Sequence, residues 1–167
     1  MRSALAILLG FALLAGAGCG FHLRGTEGVP LAQVLPEVYI EGADIGVGFG
    51  ELLADSLRAN HVRVLKARDA ARPVLNLSPL RESRLVVSVD SELRVREYAL
   101  ISELNYQLLP AGRTGEVPNQ LAQVRRDLVN DPLQVLGSDR EARRLRREMH
   151  QELAHVLTLR LRLHSLQ

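Results

Sequence analysis

The chain has 167 residues, 21 basic against 19 acidic side chains, a formal charge of +2 and 47% apolar residues. That length suits one domain with a sizeable core, and the nearly neutral balance argues against a dedicated nucleic-acid binder. With no Trp, three Tyr and three Phe, the chain offers no aromatic platform for stacking bases or sugars.

The first stretch reads as a leader. Met1-Arg2 supplies a positive charge, Ala4 to Leu14 is apolar, and small residues from Ala15 to Gly18 lead into Cys19, the one cysteine. This is the layout of a secretory signal. A helix over residues 4–18 would span about 22 Å at 1.5 Å per residue, short of a roughly 30 Å hydrocarbon core. The small residues end in cysteine rather than Ala-x-Ala. This resembles a bacterial lipobox, with Gly16 where leucine is common. A lone cysteine cannot form an internal disulfide. Cys19 is therefore read as the lipidated first residue of the mature chain, the alternative being a free thiol. Residues 1–18 are then the cleaved signal peptide. Gly20 rather than Asp at the second mature position favours the outer membrane, by analogy with lipoprotein sorting. One acyl chain holds a protein only marginally; a diacylglyceryl group with an amide-linked chain is a durable anchor.

Residues 19–36 then form the lipidated N-terminus and tether, extended from Gly25 onward because Pro30 and Pro36 oppose helix. Residues 37–167 form a single globular domain. Val38-Tyr39-Ile40 reads as a short strand closed by Glu41-Gly42. The glycines at 46, 48 and 50 do not make G-x-G-x-x-G, and no Gly-Lys-Ser/Thr follows, so they read as a turn into a helix. That helix runs from Phe49 to Asn60, with Phe49, Leu52, Leu53 and Leu57 on one face. Val62 to Leu65 is either a short strand or an extended connector.

From Pro73 to Leu109 the period changes to two. Leu75 and Leu77 alternate with Val74, Asn76 and Ser78; Leu85 to Val89 is rich in valine. Tyr98, Leu100, Ser102, Leu104, Tyr106 and Leu108 alternate with their neighbours. Such length means long antiparallel strands with one buried face. Asp90-Ser91-Glu92 is the turn between them and Pro110 to Gly115 the next one. Ala122, Val124, Arg126 and Leu128 suggest a fourth strand, ended by Asn130-Asp131-Pro132.

Ser138-x-x-Glu141 has capping-box spacing and opens the longest helix. Ala142, Leu145, Met149, Leu153 and Val156 share its apolar face. Arg140, Arg143, Arg144 and Arg147 cluster opposite, either as a solvated face or as a patch for an anionic headgroup or a partner's acidic loops. The alternation from Leu159 to His164 leaves open whether helix continues there. The expected fold is α+β, a two-layer sandwich of two helices on a four-stranded, mostly antiparallel sheet.

Chemistry-bearing motifs are missing. His150 and His155 lie about 140° apart on a helix and do not converge on a metal. Ser78 lacks the glycines of a nucleophile elbow. The sequence reads as a non-enzyme with no cofactor.

Cys19-Gly20-Phe21-His22-Leu23-Arg24-Gly25 resembles the start of the mature LptE family, lipopolysaccharide-assembly lipoproteins. The resemblance continues in order: Leu52 to Val64, Glu97-Tyr98 opening a strand, Pro110-x-Gly112 at a turn, Arg125-Arg126-Asp127 through Asn130-Asp131-Pro132, and Arg147-Glu148-Met149 in the last helix. It covers essentially the whole mature chain. It implies a lipid-anchored plug inside the outer-membrane β-barrel LptD, on the periplasmic face. Such a plug helps that barrel assemble and helps lipopolysaccharide reach the outer leaflet. Implied partners are that barrel, lipopolysaccharide and, through the lipid anchor, the inner leaflet of the outer membrane. Lipopolysaccharide contact in the family is thought to use basic residues near the central hairpin and before the final helix. Ser91 and Ser138 stand there, and Arg94, Arg96 and Arg140 are the nearest cations. Arg96 with Glu97, and Glu82 with Arg84, are candidate ion pairs that would leave such arginines structural. Competing functions are a generic periplasmic lipoprotein that binds a lipid or cell-wall component, and an anchored hydrolase.

Overall fold

The computed structural model describes residues 29–42, 48–112, 117–130 and 135–164. In chain order these give α1 (Leu31–Val34), β1 (Glu37–Gly42), α2 (Gly48–Ala59), β2 (Arg63–Val64), β3 (Val74–Leu77), β4 (Arg81–Val89), β5 (Val95–Leu109), β6 (Gln120–Val129) and α3 (Val135–His164).

The sheet is laid out around β5. One edge of β5 pairs antiparallel with β6 from Glu97 to Tyr106. The other pairs with β4 from Val95 to Glu103, then with β3 from Tyr106 to Leu109. β3 and β4 thus act as one long strand with an offset. Leu77 lies opposite Tyr106 and Arg81 opposite Glu103, so one extra residue is taken up at Ser78-Pro79-Leu80. Pro79 has no N–H to give to a ladder, and a bulge is where a sheet tolerates it. Ser78 closes the gap: its N–H donates to the Asn105 carbonyl at 2.9 Å and its Oγ accepts from the Asn105 N–H at 2.9 Å.

β1 runs parallel to both of its neighbours, β2 and β3. The expected α+β class is observed, but the sheet has six strands rather than four and is mixed rather than mostly antiparallel. Among the described residues there are three helices rather than two. Parallel pairing carries no turn signal, and β2 and β3 are too short for a period to show. Residues 65–73 cross from β2 to β3 over the helix-free side of β1. There Arg68 pairs with Glu41 at 3.0 Å, and Arg72 and Arg63 both reach Glu37. This cover explains why Glu37, a carboxylate, is buried: it is held by two guanidinium groups rather than left unpaired.

Both long helices lie on the other face of the sheet. Leu100, Leu104, Tyr106 and Leu108 of β5 and Ala122, Val124 and Leu128 of β6 point into this layer. They meet Phe49, Leu53 and Leu57 of α2 and Met149, Leu153, Leu157 and Leu161 of α3. Each fully buried leucine contributes roughly 1.5–3 kcal/mol of transfer free energy. The Tyr106 hydroxyl enters this layer by donating to Gln120 Oε1 at 2.6 Å. α3 runs antiparallel to β6, with Arg126 paired to Glu152 and Arg160 donating to the Leu121 carbonyl. α2 leans on α3, where Thr158 Oγ1 donates to the Ala154 carbonyl. Its single proton is thereby used, so the 3.0 Å contact with Ser56 Oγ is a bond donated by Ser56.

Three further expectations change. The end of the proposed tether is not extended: Leu31–Val34 make one helical turn, and Leu31 and Leu35 are buried in the core. α3 starts at Val135, so Ser138 lies inside its first turn and is not the cap. The helix also continues to His164, because Met149, Leu153, Leu157 and Leu161 recur every four residues and are all fully buried. Leu157 takes the place expected for Val156, which is half-buried.

Candidate functional site

The β4–β5 hairpin extends past the cover that the rest of the sheet enjoys. Leu85, Val86, Val87 and Val89 of β4 are each about half exposed. The outer edge of β4 is unpaired among the described residues, since β1 reaches only β3. On the helix-free face, Leu85 and Asp127 flank the small Ala99 in register, and Arg125, Gln123, Glu103 and Val129 surround them. A sheet bare on one side and open along one edge is a surface on which another chain can pack or pair.

The hairpin tip is built on Asp90. Its Oδ1 accepts the N–H groups of Glu92 and Arg94, each at 2.9 Å, and its Oδ2 accepts Arg94 Nε at 3.0 Å. Arg96 Nε lies 3.7 Å from the same Oδ2. Leu93, with φ 61, turns the chain and projects into solvent. The Arg94 backbone N–H holds the Asp90 carboxyl below its ordinary value of 3.8, opposed next by desolvation and helped by the Arg94 side chain and the Glu92 N–H. A carboxyl lowered in the folded state contributes stability above its unfolded value, and that contribution is lost as pH falls through the folded value. We expect the Glu92 and Arg94 amide resonances to shift together as pH falls below 3.8, while the core stays folded. Asp90→Asn should abolish that transition; a transition that persists in this variant would remove Asp90 as its cause.

Two of the three candidate cations, Arg94 and Arg96, are therefore occupied. Arg94 also pairs with Glu92 at 2.9 Å. Arg96 pairs with Asp90 rather than with Glu97, which accepts instead from Ser88 Oγ. Arg140 is exposed at the start of α3 and makes no ion pair among the described residues. All three belong to the same end of the fold. Asn130, at the end of β6, donates through its backbone N–H to the Arg96 carbonyl and through Nδ2 to the Val95 carbonyl, and α3 begins five residues later. Cys19 lies outside the described residues.

Two features of this region were not singled out from the sequence. Glu82 bonds His150 Nε2 at 3.0 Å rather than Arg84, and His150 meets the Phe49 ring edge-on. Arg84 instead lies over the Tyr98 ring, 3.4 Å from its centroid. The alternation did place Tyr98 on a strand face, but the partner sits across the hairpin and only register reveals it.

A bundle-and-sheet layer with an open hairpin has a close counterpart among known families. The model of the LptE family, described as lipopolysaccharide-assembly, matches residues 35–161. The chain belongs to the LptE family. The LPS-assembly lipoprotein LptE of Photorhabdus laumondii is 34% identical over 157 residues, covering 94% of this chain and 84% of that protein. The protein of the same name from Pectobacterium atrosepticum is 32% identical over 158 residues, covering 93% and 83%. Among solved structures, the rare lipoprotein B of Shewanella oneidensis superposes with a TM-score of 0.70 at 25% identity, covering 78% of this chain and 96% of that one. A lipoprotein B from Nitrosomonas europaea gives a TM-score of 0.63 at 23% identity over 83% and 88%, a likeness of fold. The LptE match begins at Leu35, the residue that follows α1. Among the described residues no helix is long and apolar enough to cross a membrane.

Proposed function

We infer that this LptE-family chain is the lipid-anchored plug and assembly partner of an LptD-like outer-membrane barrel, and that it aids insertion of lipopolysaccharide into the outer leaflet. The family match over residues 35–161 carries this reading. The open hairpin supports it, because an unpaired edge and a bare sheet face are surfaces on which another chain can pack. A barrel of porin scale or larger has room for a folded domain, since diameter grows with strand number. No bond is made or broken and no cofactor is required; the work is shaping and occluding a lumen. The anchor is the lipidated Cys19, which holds the chain in the inner leaflet of the outer membrane on its periplasmic side. Arg94, Arg96 and Arg140 stand at the end of the fold that would meet lipopolysaccharide.

The test is a mild-detergent pull-down of the tagged chain from outer membranes, with partners identified by mass. A stoichiometric large β-barrel protein is the expected result. The chain alone, from membranes shown to contain that barrel, would overturn the plug and favour a generic lipoprotein. For the anchor, Cys19→Ala placed behind a signal peptide with ordinary Ala-x-Ala cleavage should move the chain from the membrane fraction to the soluble periplasm in cells lacking the barrel, with its melting midpoint unchanged. A variant that stays in the membrane there would rule out lipidation at Cys19.

A further inference from the structure

The outer edge of β4 carries an open row of backbone groups, and β5 fixes which residues form it. Asn105 uses both its N–H and its carbonyl on the β3–β4 side, at Ser78. Backbone groups along a strand alternate between its two edges, so Glu103, Ile101 and Ala99 turn the same way. Their register partners Arg81, Ser83 and Leu85 are therefore bonded inward to β5. Glu82 and Arg84 then hold their N–H and carbonyl groups outward, and no strand among the described residues receives them.

Glu82 and Arg84 also share the helix face of the sheet, one bonded to His150 of α3 and the other stacked on Tyr98. Glu82 gives His150 one oxygen, Oε1, and its side chain stays 40% exposed. Arg84 makes no ion pair among the described residues. Beside them, Leu85 and Val86 are each about half exposed. α3 packs chiefly on β6 and β5, which leaves the margin of the sheet at β4 clear for a neighbour.

An open edge can pair with another strand, and β4 is suited to its own copy. A two-fold axis normal to the sheet keeps both helix layers on one side, so residues of one face meet residues of the same face. Three such registers are centred inside Arg81–Leu85, ahead of the irregularity between Val86 and Ser88. With the axis at Glu82, the two Glu82 carboxylates face each other. With the axis at Arg84, the two guanidinium groups do. Like charges directly opposite are destabilising. With the axis at Ser83, Glu82 of each copy lies opposite Arg84 of the other. That register also sets Leu85 beside the aliphatic stem of Arg81, and Val86 beside the half-buried Leu80.

We propose that β4 is the contact strand of a homodimer, in which two copies of this chain pair antiparallel about Ser83 and close each other's open edge with two Glu82–Arg84 ion pairs. A contact one strand wide suits a reversible dimer rather than a permanent one. It covers an edge that otherwise invites uncontrolled pairing. The dimer does not rest on the plug reading; it describes the chain outside a barrel.

The test is sedimentation equilibrium of the full chain in density-matched non-ionic detergent over a concentration series. A monomer–dimer equilibrium is expected. Arg84→Glu alone and Glu82→Arg alone should each weaken it about tenfold, the scale of turning two attractive cross-strand pairs into repulsive ones. Mixing the two variants in equal amounts should restore association, because every facing pair is then again Glu with Arg. That rescue also shows that both variants are folded. A wild-type chain that stays single throughout overturns the proposal, as does a mixture that associates no better than its components. Register is read by oxidative crosslinking. Opposed residues that are bonded inward lie about 4.5 Å apart between Cα atoms, within disulfide reach, so Ser83→Cys should give a covalent dimer. Ser88 lies five residues beyond Ser83 in each copy, so the two Ser88→Cys sites stand about 33 Å apart and should not link. The wild type, with Cys19 as its one cysteine, is the baseline. Equal crosslinking at the two positions overturns the proposal. In outer membranes, Ser83→Cys should link to its own copy; linkage to a large barrel protein instead makes this edge a barrel contact and overturns the homodimer. A chain that captures the barrel but never dimerises defeats this proposal alone, and one that dimerises but captures no barrel defeats the plug alone.

Discussion

Leu153→Ala is expected to lower the unfolding free energy by about 3–5 kcal/mol. Leu153 is 0% exposed and sits in the middle of the four-residue ladder by which α3 docks on β5 and β6. The loss has two parts. Removing the side-chain carbons forfeits their transfer free energy, and a cavity remains because the surroundings relax only partly. Relaxation is restricted here from two directions. α3 is tied to β6 on either side of Leu153, by Glu152 to Arg126 and by Arg160 to the Leu121 carbonyl. It is tied to α2 by Ser56 and Thr158. A helix held at those points cannot slide to fill the gap. Val156→Ala is the control. Val156 lies only three residues on but is half-buried, and it should cost about 1 kcal/mol. Urea unfolding followed by circular dichroism gives both values. Equal losses at the two positions would mean that the apolar face of α3 is centred elsewhere.

That comparison also marks how far the sequence could be read. The period-two run from Tyr98 to Leu108 was legible because fifteen residues of β5 carry it, and the turn at Asp90 was legible because Asp supplies a side-chain acceptor for its own loop. β6 was legible from Ala122, Val124 and Leu128, which face the helices. The parallel half was not. β2 has two residues and β3 four, and nothing in their composition says which neighbour they adopt. The start of α3 was misplaced because Ser138 and Glu141 have the spacing of a capping box, whereas the chain already turns helical at Val135. Leu31 and Leu35 were missed because two prolines frame them and a single helical turn shows no periodicity.

The candidate site was half legible. Arg94, Arg96 and Arg140 were named by resemblance as the cations nearest the central hairpin and the start of the last helix, and their contact with lipopolysaccharide is a proposal. The sequence could not show that Asp90 had already engaged Arg94 and Arg96. Nor could it show Glu82 bonded to His150 across the hairpin and the last helix. Sequence separation hides contacts of this kind: Glu82 and His150 lie 68 positions apart.

The second large effect is expected at a backbone position. Gly42→Ala should destabilise the fold by about 3 kcal/mol, combining the 1–3 kcal/mol cost of a sparsely populated backbone conformation with loss of ladder hydrogen bonding worth about 1 kcal/mol. Gly42 ends β1 with φ +130, and a Cβ built there would lie 2.1 Å from the Leu77 carbonyl oxygen. The obstruction is backbone, not the yielding end of a side chain. Gly42 pairs with Leu77 at the last step of the parallel β1–β3 ladder, so relief requires those two strands to part. They cannot part freely. Ile40 and Leu77 belong to the core, and Leu77 immediately precedes the Ser78 bulge that joins β3 to β4. Gly112→Ala is the matched control. Its φ of +66 is also left-handed, but nothing lies within 4 Å of an added Cβ. Only the intrinsic left-handed cost of about 1–2 kcal/mol applies there. Thermal and urea unfolding of the two variants should therefore separate conformational cost from collision. If Gly42→Ala costs no more than Gly112→Ala, β1 and β3 do not approach as closely as this pairing requires.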